Sequence, residues 1–340
     1  MPPFRVGIIG CGGRGRQHAL GYQASSEAHI VACADPFEES RSQLAADFAV
    51  ETPYADYREM LEHENLDIVS VCTWPDFHEE MMVAAAQSGA QAIHAEKPMA
   101  PTWGASKNII QVCQEHGAII TFCHQRRFGP QFIKARDLAR DGHIGPLRRV
   151  EGSCPNLFDW GTHWFDMFFF FNNDEPAAWV LGQIDVARDH KVFGVPLDTG
   201  GLSWIRWHNG LEGLLTTGDT GLHDNRLMLR LVGDEGVIEV RPGAKEGPPV
   251  RLQRQSGAWE SPALTPTDPD HNDTVLATLD LIASLKTGRE PELSGRRALQ
   301  ATELIFATYE SSRRRGRVEL PLLEDDSALL TMLQEGVVGP

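Results

Sequence analysis

Short apolar runs alternate with helical stretches through the first third of the chain. Phe4 to Ile9 is apolar and rich in Ile and Val, which predicts a buried strand. Arg16 to Ala24 contains no strong breaker and predicts a helix, and Ile30 to Ala34 predicts a second strand. The rhythm continues with helices over 38–48 and 57–63, a strand over 66–72, a helix capped by Asp76 and running to Ser88, and a strand over 91–95. A helix over 102–116 and a strand over 119–123 complete this part, with Gly89 and Gly117 as stops. Strands alternating with helices imply a parallel sheet covered on both faces, with ligands at the carboxyl ends of the strands.

The pattern changes after His124. A helix over 131–140, a strand over 148–153 and a helix over 159–171 are followed by five strand-like runs between Ala178 and Val240. Turns such as Asn209-Gly210 separate them, which predicts a largely antiparallel sheet. Amphipathic helices over 272–286 and 294–311 and a short strand over 317–320 close the pattern, and the acidic tail beyond Leu323 is expected either to dock or to fray. The expected division is a nucleotide-binding domain over 1–124 and a substrate-binding and oligomerisation α/β domain over 125–340.

Composition narrows the partners. Of 340 residues, 41% are hydrophobic and 23% charged, as in ordinary soluble domains. The net charge of −16 argues against nucleic acid or an anionic membrane as partner. The most apolar run, Trp164 to Phe171, is interrupted by Asp166 and is too short to span a bilayer. The opening Met-Pro-Pro-Phe-Arg has no leader character, and none of the six cysteines forms a C-x-x-C pair. Reduced core thiols in a cytoplasmic protein are the expectation, with no metal site.

Candidate chemistry begins at Gly10-Cys11-Gly12-Gly13-Arg14-Gly15, where Gly10, Gly12 and Gly15 fall in the order G-x-G-x-x-G between a strand and a helix. Such a turn lets a pyrophosphate approach the backbone and meet the amides at a helix start. Asp35 ends the next strand twenty residues later, where a carboxylate accepts the adenosine ribose hydroxyls and repels a 2′-phosphate. No Arg or Lys follows until Arg41, so NAD is the expected cofactor. Lys97, between Glu96 and Pro98 at a strand end, is placed to steady a substrate oxygen; a plain surface lysine fits the same position. Asp159 and His163 are four apart and share a helix face, with Asp166 near the same stripe. That grouping suits proton transfer, and equally a capping Asp beside a satisfied core histidine. His124, Arg126 and Arg127 follow a strand end, and Arg126 would suit an anionic substrate group, whereas salt bridging is favoured for Arg127. Trp160 offers a face for sugar C–H groups or for helix packing.

The glycine turn, Thr73-Trp74-Pro75 with His78, Glu96-Lys97-Pro98, and Asp159-x-Gly161-x-His163-x-x-Asp166 occur in that order. Together they resemble the family of glucose-fructose oxidoreductase, inositol dehydrogenase and the rhizopine-catabolism oxidoreductases (Gfo/Idh/MocA), over roughly residues 4 to 320. The resemblance implies a Rossmann domain followed by an α/β domain with an open, largely antiparallel sheet that makes subunit contacts in a homodimer or homotetramer. It implies Lys97, Asp159 and His163 as catalytic residues, a cis Pro98, and a cofactor bordered by Thr73, Trp74, Pro75, His78 and Glu96. The implied reaction is hydride transfer between nicotinamide and a hydroxyl-bearing carbon of a sugar or polyol. Two alternatives remain open: glycoside cleavage through a transient internal redox cycle on tightly bound NAD, and a non-enzymatic NAD-binding sensor.

Overall fold

A computed structural model describes residues 2–218, 228–241, 247–255, 257–266, 268 and 271–339. The chain divides into two units. The first comprises Met1–Pro101, Ala105–Gln125 and Asp268–Leu299; the second comprises Thr102–Gly104, Arg126–Thr267 and Gln300–Pro340. The expected division at 124/125 is thus a division in sequence, and a later segment returns to the first unit.

In the first unit β1 (Phe4–Ile9), α1 (Gly13–Gln23), β2 (Ala28–Ala34), α2 (Glu38–Phe48), β3 (Thr52–Tyr54), α3 (Tyr57–His63), β4 (Ile68–Val71), α4 (Pro75–Gln87), β5 (Ala92–Ala95), α5 (Trp103–Glu115) and β6 (Ile119–Phe122) follow in order. The sheet is wholly parallel, in the order β3-β2-β1-β4-β5-β6. That is the doubly wound nucleotide-binding arrangement, whose order reverses between β1 and β4. Strands β4 and β5 are buried throughout, as strands covered on both faces must be. Two details differ from expectation. Helix α4 takes Trp74 as N-cap and Pro75 as its first residue, so Asp76 lies inside the first turn, beside the amide dipoles, instead of capping them. Strand β3 was not expected, because three residues containing Pro53 carry almost no periodic signal.

The second unit holds α6 (Pro130–Arg140), β7 (Leu147–Cys154), α7 (Thr162–Phe171), β8 (Ala177–Asp185), β9 (Lys191–Val192), β10 (Val195–Pro196), β11 (Gly200–Trp207), β12 (Glu212–Gly218), β13 (Met228–Gly233), β14 (Gly236–Val240) and β15 (Val250–Arg254). Helix α8 (Asp273–Thr287) belongs to the first unit, α9 (Gly295–Arg314) begins there, and β16 (Val318–Glu319) and α10 (Ala328–Gln334) end the second. Its main sheet runs β15-β14-β13-β7-β12-β11-β8-β16, antiparallel except for the β7–β12 pair. Strand β11 shows why one face is covered: Ser203, Ile205 and Trp207 are buried, while Leu202 and Trp204 on the other face are 43% and 40% exposed.

Packing is close where glycine allows it. A Cβ on Gly152 would come within 2.5 Å of the Trp164 side chain, so bare backbone in β7 admits the indole of α7. In the first unit a Cβ on Gly21 would lie 2.3 Å from Thr278 Oγ1, which seats α8 against α1. The helix expected over 159–171 begins with one π turn, Leu157–Gly161, and becomes α-helical at Thr162. The tail docks: α10 buries Leu329 and Met332, and Arg313 pairs with Asp326. All six cysteines are unbridged, and among the described residues no helix is long and apolar enough to cross a membrane.

Candidate active site

The nucleotide side is built from backbone in the first unit. Gly10 has φ +91°, a left-handed value suited to glycine, and a Cβ on Gly15 would sit 2.0 Å from the Gly10 carbonyl oxygen. Helix α1 starts with Gly12 as N-cap and no side chain on its free amides. A Cβ on Gly12 or Gly13 would meet nothing within 4 Å, so the space before those amides is open to a phosphate. Asp35 Oδ2 accepts the Cys11 amide at 2.8 Å and Oδ1 accepts the Phe37 amide at 2.9 Å. The carboxylate therefore ties the glycine turn to the turn after β2, at the carboxyl ends of both strands, and these residues fit NAD.

Thr73, Trp74 and Pro75 lie at the start of α4, with Trp74 exposed. His78 is fully buried, with Nε2 3.0 Å from the Thr73 carbonyl and Nδ1 2.9 Å from that of Pro98. Burial lowers its pKa, against the pull of those carbonyls, and the ring lies between the turn before α4 and the turn after β5. The Lys97–Pro98 bond is cis.

Two expected cofactor residues point elsewhere. Glu96 is buried, and its Oε1 accepts Arg14 Nε at 2.7 Å and lies 2.9 Å from His18 Nε2; its Oε2 lies 3.3 Å from the Lys97 amide. Arg14 also reaches Cys123 Sγ at 3.4 Å. Burial would raise the Glu96 carboxyl, but the hydrogen bonds and charges of His18 and Arg14 hold it at about 2. Burial opposes charge on His18 too, yet Cys72, Cys123 and Glu96 keep its pKa well above the ordinary value. Glu96 is thus the centre of a charge network that joins half-exposed Arg14 to buried His18. His18 was missed; its one local signal is that it lies four residues after Arg14, on the same face of α1. His124 is buried just past β6.

Among the described residues His18, His94 and Cys123 bring three donor atoms within 4.8 Å of one another. A metal ion lies near the plane of each imidazole that binds it. These two rings are stacked, with centroids 4.1 Å apart and planes at 20°, and His18 spends both nitrogens on Ser70 and Glu96. His94 Nδ1 lies 3.2 Å from the Tyr22 hydroxyl.

In the second unit the π turn carries Asp159 and Trp160, and His163 is the second residue of α7, 5% exposed. Asn156 caps the turn: its Oδ1 accepts the Asp159 amide at 2.8 Å and the Trp160 amide at 3.2 Å. Asp198, wholly buried, accepts the Leu157 amide at 2.9 Å, the Tyr309 hydroxyl at 2.9 Å and the Thr217 hydroxyl at 3.1 Å. Burial pushes its carboxyl up to about 6, against those three donors. Neither Asn156 nor Asp198 was expected; an Asn before a helical run is a capping signal, while Asp198 has no local one. Arg126 lies over the Trp164 ring at 4.8 Å and the Trp160 ring at 5.6 Å, beside the turn. Arg127 is spent on Asp166, at 3.0 Å to each oxygen, and on Asp174 at 2.7 Å. Asp166 therefore anchors α7 and does not serve His163.

A parallel sheet of this order, an open glycine turn under a bare helix start and a carboxylate at the end of β2 define a dinucleotide-binding fold. Family models confirm it: "Oxidoreductase family, NAD-binding Rossmann fold" matches residues 4–124, and "Oxidoreductase family, C-terminal alpha/beta domain" matches residues 148–320. The chain belongs to the Gfo/Idh/MocA family and is an NAD-dependent dehydrogenase of CH–OH groups. It is 26% identical to the D-apiose dehydrogenase of Paraburkholderia graminis over 98% of this chain and 94% of that protein. It is 24% identical to the myo-inositol 2-dehydrogenase of Thermotoga maritima over 93% of this chain and 98% of that protein. A levoglucosan dehydrogenase solved with NADH and levoglucosan shares the fold, with a TM-score of 0.80 at 19% identity, covering 94% of this chain and all of that one.

Proposed function

We propose that the protein oxidises a hydroxyl-bearing carbon of a sugar or polyol, with Lys97, Asp159 and His163 as its catalytic residues. Bound NAD supplies the acceptor for the hydride. His163 takes the hydroxyl proton, since imidazole exchanges protons near neutral pH. Asp159 orients that imidazole and shares the proton. Lys97 stabilises the negative charge that develops on the substrate oxygen. Arg126 and Trp160 border the substrate and help choose it, with His124 at the end of β6. The observation that carries this reading is the capped π turn running straight into α7, which sets Asp159 and His163 on one continuous segment. The sugars named for the relatives supply the substrate class.

The exposed sheet face of the second unit supports a dimer or tetramer through Leu181, Leu202 and Trp204. The six unbridged thiols fit a reducing compartment such as the cytoplasm. The test is a panel of myo-inositol, D-apiose and levoglucosan with NAD and NADP, read by absorbance of the reduced nicotinamide. Net NADH is expected with at least one, and His163→Asn is expected to slow that turnover by about a hundredfold or more while NAD affinity stays unchanged. Unchanged turnover in that variant removes His163 from the reaction. Absence of net NADH across the panel, with substrate consumed, replaces oxidation by an internal redox cycle.

A further inference from the structure

The segment bearing Asp159 and His163 is held from two sides, and only one holder is local. Asn156 caps the π turn from within the turn. Asp198 reaches it from a loop 41 residues further along the chain. We infer that Asp198 is a positioning residue for the proposed reaction: its buried carboxylate fixes the amide of Leu157, the first residue of the π turn, and so aims Asp159 and His163. The inference rests on the reading above, in which those two residues handle the proton.

The geometry points to a built anchor. Both Asp198 oxygens are used: Oδ1 takes Leu157 N–H and the Tyr309 hydroxyl, and Oδ2 takes the Thr217 hydroxyl and shares the Leu157 amide at 3.1 Å. The three donors come from three places, the π turn, the end of β12 and the middle of α9. Asp198 thereby locks the turn to the sheet and to the long helix at once. Among the described residues its partners are an amide and two hydroxyls, not a cation. A buried carboxylate without a cation is costly to keep, and packing alone would be served by an apolar residue. What the carboxylate adds is direction, because each partner is held on a defined oxygen. The neighbouring Gly218 amide, donating to Pro155 at 3.1 Å, ties the same turn to β12 once more.

The test compares Asp198→Ala, Asp198→Asn, Tyr309→Phe and His163→Asn in the full chain, using myo-inositol, D-apiose and levoglucosan with NAD. Kinetics are read beside NAD affinity by fluorescence titration and hydrogen exchange of the Leu157 to Trp160 amides. Asp198→Ala is expected to lower kcat about 10- to 100-fold, as a misaimed group does, with KM and NAD affinity changed less than about threefold. Exchange at Leu157 rises in the same variant. Asparagine keeps an acceptor for Leu157, so Asp198→Asn restores kcat to within about threefold of wild type. If the alanine variant does not fold, Tyr309→Phe decides, with faster Leu157 exchange and a lower kcat at constant KM. A folded alanine variant with wild-type kcat, a loss in kcat that asparagine does not restore, or an unaltered Tyr309→Phe overturns the inference. His163→Asn separates the two layers: if it is inactive while Asp198→Ala is not, only the anchor fails, and if it is fully active, the proton-handling reading fails and the anchor with it.

Discussion

Replacing Glu96 by Gln tests whether the network it centres is a true charge network. The carboxylate is buried and receives Arg14 and His18 on one oxygen. Its pKa falls from 4.5 to about 2, a drop of about 2.5. At about 1.4 kcal/mol for each pKa unit, the ionised form is favoured by ~3 kcal/mol in the folded protein. This is an upper figure, because the Arg14 side chain is 40% exposed and can turn to water, and His18 can release its proton. The sign follows from the lowered pKa: the stabilisation is complete above pH 4.5 and is lost as pH falls through about 2. At pH 7 Glu96→Gln is expected to melt about 5–10 °C below wild type, at about 2–4 °C per kcal/mol. At pH 3 that gap should shrink to less than half. Scanning calorimetry of both proteins across this range reads it directly. Equal melting at pH 7, or a gap that does not narrow in acid, refutes the argument.

Two further outcomes follow from the same geometry. Asp35→Ser removes the acceptor of the Cys11 and Phe37 amides together with the ribose carboxylate; NAD affinity in a fluorescence titration should fall about tenfold or more, and the NADP-to-NAD affinity ratio should rise. Unchanged NAD affinity would remove Asp35 from the ribose site. Leu202→Lys with Trp204→Lys places like charges on the exposed face of β11, and light scattering should show association weakened about a hundredfold or more, with the monomer fold retained. An unchanged mass would move the interface elsewhere.

The residues that could be found from sequence are those whose job is local. The glycine turn shows itself because its requirements concern backbone at adjacent positions, and the alternation in β11 shows itself because every second side chain meets the same core. Residues whose partners lie far along the chain leave no such trace. Glu96 looked like a cofactor residue by its place beside Lys97, yet its partner His18 is 78 positions away and draws the carboxylate inward. His78 matched a family turn, and its ring nitrogens are engaged by carbonyls brought together by folding. Asp166 shared a stripe with His163 by spacing, but Arg127, 39 residues earlier, claims it. Asp198 lies 111 residues from Tyr309, and no window of sequence joins them. Helix α10 was hidden differently, since acidic neighbours mask a short apolar face.

The two units position their chemistry by opposite means. In the first, the groups expected to face NAD are mostly backbone: amides at the start of α1, a left-handed Gly10, and a carboxylate that holds turns together. Backbone geometry of this kind does not change with substrate, which suits a site whose ligand is always the same. In the second, the proposed reacting groups are side chains, Asp159 on the π turn and His163 on the first turn of α7, and the π turn is secured by Asn156 and Asp198. Arg126 lies over the Trp160 and Trp164 rings beside this turn, whereas Arg127 is bonded to Asp166. On the proposed reading Trp160 borders the substrate, and exchanging its side chain is expected to change relative kcat/KM across the sugar panel more than NAD affinity.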